Sequence, residues 1–155
     1  MNETIINRFN EKISKDDTLY LLGDISFGTV NDTKYFLENL NTKNIHLIYG
    51  NHDKSLKKNE QGIQGYFKSC YHYNEIYVDE QFIVLSHYPH RSWNRSHQKN
   101  ASWHLYGHVH GNLNHEEWGK SIDVGVDTNN FYPYSFNDIK EILDTRAAQY
   151  SLDSL

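Results

Sequence analysis

Apolar positions along this chain follow two rhythms. In the first, Ile5, Ile6, Phe9 and Ile13 recur on one helical face, which predicts a helix over residues 2–13. The polar stretch Ser14-Lys15-Asp16-Asp17 ends it. The second rhythm is a short unbroken run. Thr18-Leu19-Tyr20-Leu21-Leu22 and Ile45-His46-Leu47-Ile48-Tyr49 are rich in large or β-branched side chains and stop at Gly-Asp and Gly-Asn, as buried strands do. Between them Asn31 can cap a helix to about Leu40, with Phe36, Leu37 and Leu40 facing in. Helix, strand, helix, strand implies parallel pairing through right-handed crossovers.

Further on, residues 54–68 are polar and read as a loop with a short helix. Glu75–Val78 and Gln81–Leu85 flank Asp79-Glu80 as a hairpin, and Tyr71, Tyr73 and Tyr77 alternate on one strand face, which predicts packing. A long polar loop runs from His90 to Ser102. Trp103–Tyr106 is a short strand and Ser121–Val126 is strand-like. Ser135 with Asp138 forms a capping-box start for a helix to about Leu143, with Phe136, Ile139 and Leu143 inward. Thr145 to Leu155 reads as a frayed tail. No repeat or low-complexity linker interrupts the chain, so one domain over residues 1–144, followed by a C-terminal tail over 145–155, is the economical organisation.

Composition narrows the function classes. The 155 residues suffice for one domain with a single core, and 37% hydrophobic with 23% charged residues is a globular balance. No apolar run approaches the ~20 residues of a membrane span, and the start carries no signal-peptide pattern. The single cysteine, Cys70, cannot form an internal disulfide and reads as buried and inert; this fits a cytoplasmic setting. A formal charge of −5 argues against a mainly electrostatic nucleic-acid binder. The unusual counts are 10 His and 12 Tyr, and imidazole is the commonest metal ligand.

Position gives the histidines their meaning. Strand-like runs end at Gly23-Asp24, at Gly50-Asn51-His52-Asp53, at Ser86-His87 and at Gly107-His108-Val109-His110. Each alone reads as a turn or a rim residue. Together, at successive strand ends, they offer carboxylate, amide oxygen and imidazole where an open α/β sheet places its ligand site. That donor set suits a hard-to-borderline divalent metal beside an acid/base group. In an extended segment His108 and His110 would face one way; around a glycine-flanked bend they reach two nearby points.

The order GD…GNHD…H…GHVH, carried by Asp24, Asn51 to Asp53, His87 and His108/His110, resembles the calcineurin-like metallophosphoesterases, over about Thr18 to Val126. Ser86-His87-Tyr88-Pro89 and Val124-Gly125-Val126-Asp127 resemble small bacterial and phage members. The resemblance implies an α/β layered fold, a β-sandwich of two mixed sheets flanked by helices, with two metals at the strand ends. It implies that Asp24 bridges both metals, that Asn51, His87 and His108 complete the second metal's shell, and that His110 ligates the first. His52 becomes the proton donor to the leaving oxygen, oriented by Asp53. The implied cofactor is a divalent metal, Mn2+ first, with Fe, Ni or Zn as alternatives. The implied reaction is hydrolysis of a phosphodiester or phosphomonoester by metal-activated water, with diesters favoured, and a nucleotide is one candidate substrate.

The family pattern begins with an Asp-x-His on a first strand, and no such element precedes Asp24 here. An internal start at Met1, a truncated product and a natural variant all fit that departure. The expectation is a complete second metal site and a weak or empty first one, since two protein ligands rarely hold a divalent ion tightly. Hydrolysis is then slowed, and the alternative is a catalytically silent metal-, phosphate- or nucleotide-binding module. A missing strand also leaves an open sheet edge, which invites a homodimer.

Other residues carry less. Arg91 and Arg95 are candidate substrate contacts, since guanidinium forks suit phosphate oxygens; a solvated loop is the rival reading. Trp93 and Trp103 could stack a base, but packing is the better expectation. His46, His72, His104 and His115 read as structural, and Ser86 has no nucleophile pattern around it.

Overall fold

The computed structural model describes residues 2–25, 28–114 and 116–149. Helix α1 (Asn2–Lys12) buries Ile5, Ile6 and Phe9, the face that the spacing predicts. Helix α2 (Val30–Asn39) buries Thr33, Phe36 and Leu37. Its cap is Thr29 and not Asn31: the Thr29 hydroxyl accepts from the Asp32 N–H, and the Asp32 carboxylate accepts from the Thr29 N–H at 2.8 Å. A reciprocal Thr-x-x-Asp pair satisfies two orphan donors, which one Asn cannot do.

Strands β1 (Thr18–Leu21), β2 (Asn44–Ile48) and β3 (Ser69–Tyr71) form a parallel sheet in that order. A second sheet holds β4 (Tyr73–Val78), β5 (Gln81–Ser86), β6 (Trp103–Tyr106) and β7 (Ser121–Asp123), with β4 antiparallel to β5 and the rest parallel. The expected pair of mixed sheets is therefore one parallel sheet and one mixed sheet. β3 escapes the sequence because it is three residues long and largely polar. It also divides the tyrosines: Tyr71 lies on β3, Tyr73 and Tyr77 on β4. All three are exposed, so they are not the packed face expected of them. The Asp79-Glu80 turn is as expected, both residues having positive φ. Residues 54–68 become helix α3 (Lys54–Lys57) and a 3-10 segment, Glu60–Tyr66.

The layers follow from burial. Helices α1 and α2 cover the outer face of the parallel sheet through Ile5, Phe9, Phe36 and Leu37, packed on Leu19, Leu21, Ile45 and Leu47. Ile48 joins Ile83, Leu85, Trp103 and Leu105 between the sheets, with Ile139 and Leu143 of helix α4 (Phe136–Leu143). Each such side chain contributes about 1.5–3 kcal/mol of burial. The far face of the mixed sheet is covered by the 90–102 loop, whose Trp93 packs on Phe82 and Val84. Both Trp93 and Trp103 are thus core residues. Cys70 is half-buried rather than buried, and desolvation pushes its thiol pKa up. The expected frayed tail is tied down over 145–149, where Arg146 Nη1 donates to the Ser121 carbonyl at 2.5 Å; residues 150–155 lie outside the described ones. No described helix is long and apolar enough to cross a membrane.

The corners after β1 and β2 are pinned by one carboxylate. Asp53 is fully buried. Its Oδ2 accepts from the Gly50 N–H at 2.7 Å and the Asp24 N–H at 2.8 Å, and its Oδ1 accepts from the Ile25 N–H at 3.1 Å. The corners interlock so closely that a Cβ on Gly23 would sit 2.6 Å from the Gly50 nitrogen, and Gly23 has φ +92°.

Two stability measurements check this account. Asp53→Asn replaces an acceptor by an NH2 group facing an N–H donor, so urea unfolding should show a loss of about 2–4 kcal/mol with an unchanged m value. Thr29→Ala should cost about 1 kcal/mol by the same assay, and Asn31→Ala less than about 0.5 kcal/mol.

Candidate metal centre

The carboxyl ends of β1, β2, β5 and β6 bring together the residues that the sequence singles out. Asp24, His87 and His108 each offer a ligand atom, and these atoms all lie within 4.8 Å of one another. Asn51 completes the cluster: its Oδ1 is 3.0 Å from His87 Nε2 and 3.1 Å from His108 Nδ1. Asp24 and His108 hold left-handed backbone, φ 54° and φ 68°, which a non-glycine residue adopts only where its surroundings impose it.

Each donor is aimed by a second contact. His87 is 2% exposed, and its Nδ1 lies 2.7 Å from the Leu22 carbonyl, which can only accept. Nδ1 therefore carries the proton, and in the neutral ring Nε2 presents a lone pair. That lone pair faces two oxygens, Asn51 Oδ1 and Asp24 Oδ2, the latter at 3.2 Å. Three electron-rich atoms facing one another repel unless a proton or a cation lies among them. A buried imidazolium is one solution and an Asn51 amide turned to donate is another; a shared cation is the one that uses all four donors, His108 included. Cis ligands of an octahedral ion with bonds of ~2.1 Å sit about 3.0 Å apart, close to the spacing here. The donor set fits a divalent metal. The other Asp24 oxygen, Oδ1, accepts from the His52 N–H at 2.9 Å, which fixes the carboxylate's rotation.

His52 is exposed on the turn beside this cluster, in reach of solvent and of anything bound there. The Asp53 carboxylate does not take up the part of orienting His52. Its oxygens hold backbone N–H groups of Gly50, Asp24 and Ile25, so it positions the corner that carries His52.

His110 turns away from its neighbour in sequence. Both histidines of the GHVH bend have positive φ, and His110 Nδ1 meets Asp127 Oδ2 at 2.6 Å. Its side chain is 75% exposed. The Asp127 contact raises the imidazole pKa above the ordinary value, with a smaller push from Asp123 and Asp24. The bend itself is held by Asp123, which is buried and accepts from the Gly111 N–H at 2.9 Å and the Gly125 N–H at 2.8 Å. Sequence reasoning missed Asp123. It lies within the strand-like stretch 121–126 with one apolar residue before it, and no local mark sets it apart.

A cavity of about 720 Å3 runs along β1 to this cluster. Leu19 to Leu22 form one wall and Ile83, Leu85 and Leu105 another; Asp24, His108, His110 and Asp127 stand at the polar end. The outer edge of β1 has no strand partner among the described residues, and the slot runs beside that edge.

Arg91 and Arg95 are not among the residues lining this cavity. Arg95 lies over the Phe82 ring at 4.5 Å and donates to the Tyr77 hydroxyl at 2.7 Å, while Arg91 lies over Trp118 at 5.8 Å. Aromatic faces on the far side of the mixed sheet hold both guanidinium groups. His46 stacks on Tyr20 and contacts Ser69 Oγ at 2.6 Å, a packed rim position as expected. His72 lies against Tyr49, and His115 is outside the described residues.

The His110 pair gives a pH prediction. In metal-free protein, the His110 ring protons followed by NMR should titrate above pH 6.5, and Asp127→Asn should bring that midpoint down. The raised folded pKa means that the pairing stabilises the fold below the unfolded value of about 6.5 and ceases to do so as pH rises through the folded value. Salt should weaken the effect, since both groups are exposed.

Residues 2–124 match the calcineurin-like phosphoesterase superfamily domain. The chain is 28% identical over 153 residues to the uncharacterized protein MJ1445 of Methanocaldococcus jannaschii, across 93% of this chain and 76% of that one. Its fold is similar to that of AQ665, a protein of unknown function from Aquifex aeolicus. The TM-score is 0.68 at 24% identity, over 91% of this chain and 84% of that one. Family match, fold and the order of the polar strand ends agree, and the chain belongs to the calcineurin-like phosphoesterase superfamily.

Proposed function

We propose that this protein is a metal-dependent phosphoesterase acting at the Asp24, Asn51, His87, His108 cluster, with Mn2+ as the working ion. The observation that carries this reading is the buried His87 Nε2, whose lone pair faces Asn51 Oδ1 and Asp24 Oδ2 with His108 alongside. When bound, a divalent cation supplies charge stabilisation for the phosphate oxygens and lowers the pKa of water.

The chain's own groups supply the rest. Asp24 contributes the one formal negative charge among the four, and Asn51 and two imidazoles bind without over-neutralising the site. Leu22 O holds the His87 tautomer, and the His52 N–H holds Asp24. His52 lies on the exposed side of the turn, where its ring can hand a proton to the departing oxygen of a phosphate ester. Asp24, His110 and Asp127 line the same end of the slot, and a second ion there would have to share Asp24. Phosphodiesters are the favoured substrate class, nucleotide esters among them.

A second reading has one observation behind it. His110 is engaged with Asp127 rather than with the cluster, so a single ion could bind phosphate or a nucleotide without turnover. Calorimetry showing ligand binding with no product formed would favour that module.

The enzyme reading is tested by turnover of a chromogenic aryl phosphodiester with Mn2+. Asp24→Ala should lower kcat/KM by at least about 1,000-fold, equivalent to ~4 kcal/mol. His52→Ala should cost about 100-fold or more on an ester with a poor alkyl leaving group, and much less on a p-nitrophenyl ester, whose leaving group departs without a proton. Equal rates for wild type and both variants on all esters would refute the proposal.

A further inference from the structure

Beneath the 90–102 loop lies a histidine that belongs to neither the cluster nor its rim. His104, on β6, is fully buried. Its Nε2 accepts from the His90 N–H at 3.0 Å, and its Nδ1 donates to the Val84 carbonyl at 3.2 Å. These two contacts select the Nδ1–H tautomer, because an amide N–H can only donate and a carbonyl can only accept. Burial pushes its pKa down to about 4, which keeps the ring neutral and the tautomer single at neutral pH. Aromatic neighbours fix the ring plane: His90, Trp93 and Tyr106 lie 5.0, 5.1 and 5.4 Å from it.

Both bonds reach the segment that delivers His87 to the cluster. Val84 is the register partner of His104 and stands three residues before His87. His90 stands three residues after it. The five residues 86–90 close on themselves where His90 Nε2 meets Ser86 Oγ at 3.0 Å. His87 and Tyr88 ride on that closed turn, and the Tyr88 ring packs on the His87 and His108 rings at 5.0 and 4.8 Å. His104 itself stands four residues before His108, on the strand that ends in the GHVH bend.

The geometry points to His104 as a positioning residue for the metal centre: it clamps both ends of the 84–90 segment to β6, so that His87 and His108 keep a fixed separation. The role rests on the phosphoesterase reading only for the identity of what the two histidines hold. A purely apolar filler of the same cavity would preserve packing but leave the His90 N–H buried without an acceptor, and the turn would move to find one.

The test compares His104→Leu with His104→Gln, in the full chain, by Mn2+ binding (electron paramagnetic resonance) and by NMR of the histidine ring nitrogens. His104→Gln keeps an acceptor for His90 and a donor for Val84. It should hold Mn2+ affinity within about threefold of wild type and leave the His87 signals in place. His104→Leu should shift the His87 and His108 ring signals and weaken Mn2+ at least tenfold. If His104→Leu does not fold, His90→Pro deletes the donor without touching β6 and should give the same shifts, while Ser86→Ala, which opens only the His90–Ser86 contact, should leave them near wild type. A folded His104→Leu or His90→Pro with wild-type ring signals overturns the assignment. Should wild type bind no Mn2+, the metal reading of the cluster falls, while the ring-nitrogen comparison still decides whether His104 positions His87.

Discussion

The buried carboxylate of Asp53 is the interaction on which the rest of this structure depends. Three backbone N–H groups from two different strand ends converge on it. Backbone donors have no other partner available at such a corner, and a carboxylate satisfies several at once with charge-assisted bonds. Gly23 and Gly50 then touch closely enough to bring Asp24 beside Asn51. The candidate metal centre is thus a by-product of how two parallel strands are tied at their carboxyl ends. A pair of turns with ordinary side chains at 23 and 50 would hold the same residues several ångströms apart.

A second constraint acts from the other sheet. His87 and His108 come from β5 and β6, and each must cross to ligand-bearing residues on the parallel sheet. The Leu22 carbonyl at the end of β1 takes the His87 Nδ1 proton. A backbone atom of one sheet therefore sets the tautomer of a side chain from the other. The consequence is that the lone pair of a buried ring is turned toward two oxygens at a site that opens to solvent on the His108 side. That arrangement is unfavourable empty and favourable around a cation, which is the physical content of calling the cluster a metal site. His104 extends the same logic one layer outward, under the loop that covers the mixed sheet.

Much of the centre could be read from the chain because strands and corners leave local marks. An apolar run closing on a polar corner needs only its own residues to be recognised: Gly23-Asp24, Gly50-Asn51, Ser86-His87 and Gly107-His108-Val109-His110 all close such runs. The family membership rests on the same local order. The departures arose where a residue's partner lies far along the chain. Asp53 next to His52 looks like a partner for its ring, yet its bonds run to residues 24 and 25. Arg91 and Arg95 follow His87 closely, but Phe82, Tyr77 and Trp118 draw them to the opposite face. β3 carries too few apolar residues to be seen, and exists because β2 offers it a parallel edge.

Local sequence dictates which side chains stand at the strand ends and in what order, because strand period and polar corners are local properties of the backbone. It dictates the helix faces for the same reason. Which oxygens and nitrogens meet is set by the folded whole: that Asp53 binds backbone, that His110 pairs with Asp127 while His108 joins Asn51, and that an apolar slot runs along β1 to the cluster. Those outcomes depend on packing between segments distant in the chain, where the satisfaction of buried polar groups is settled by the whole fold and not by any neighbour in sequence.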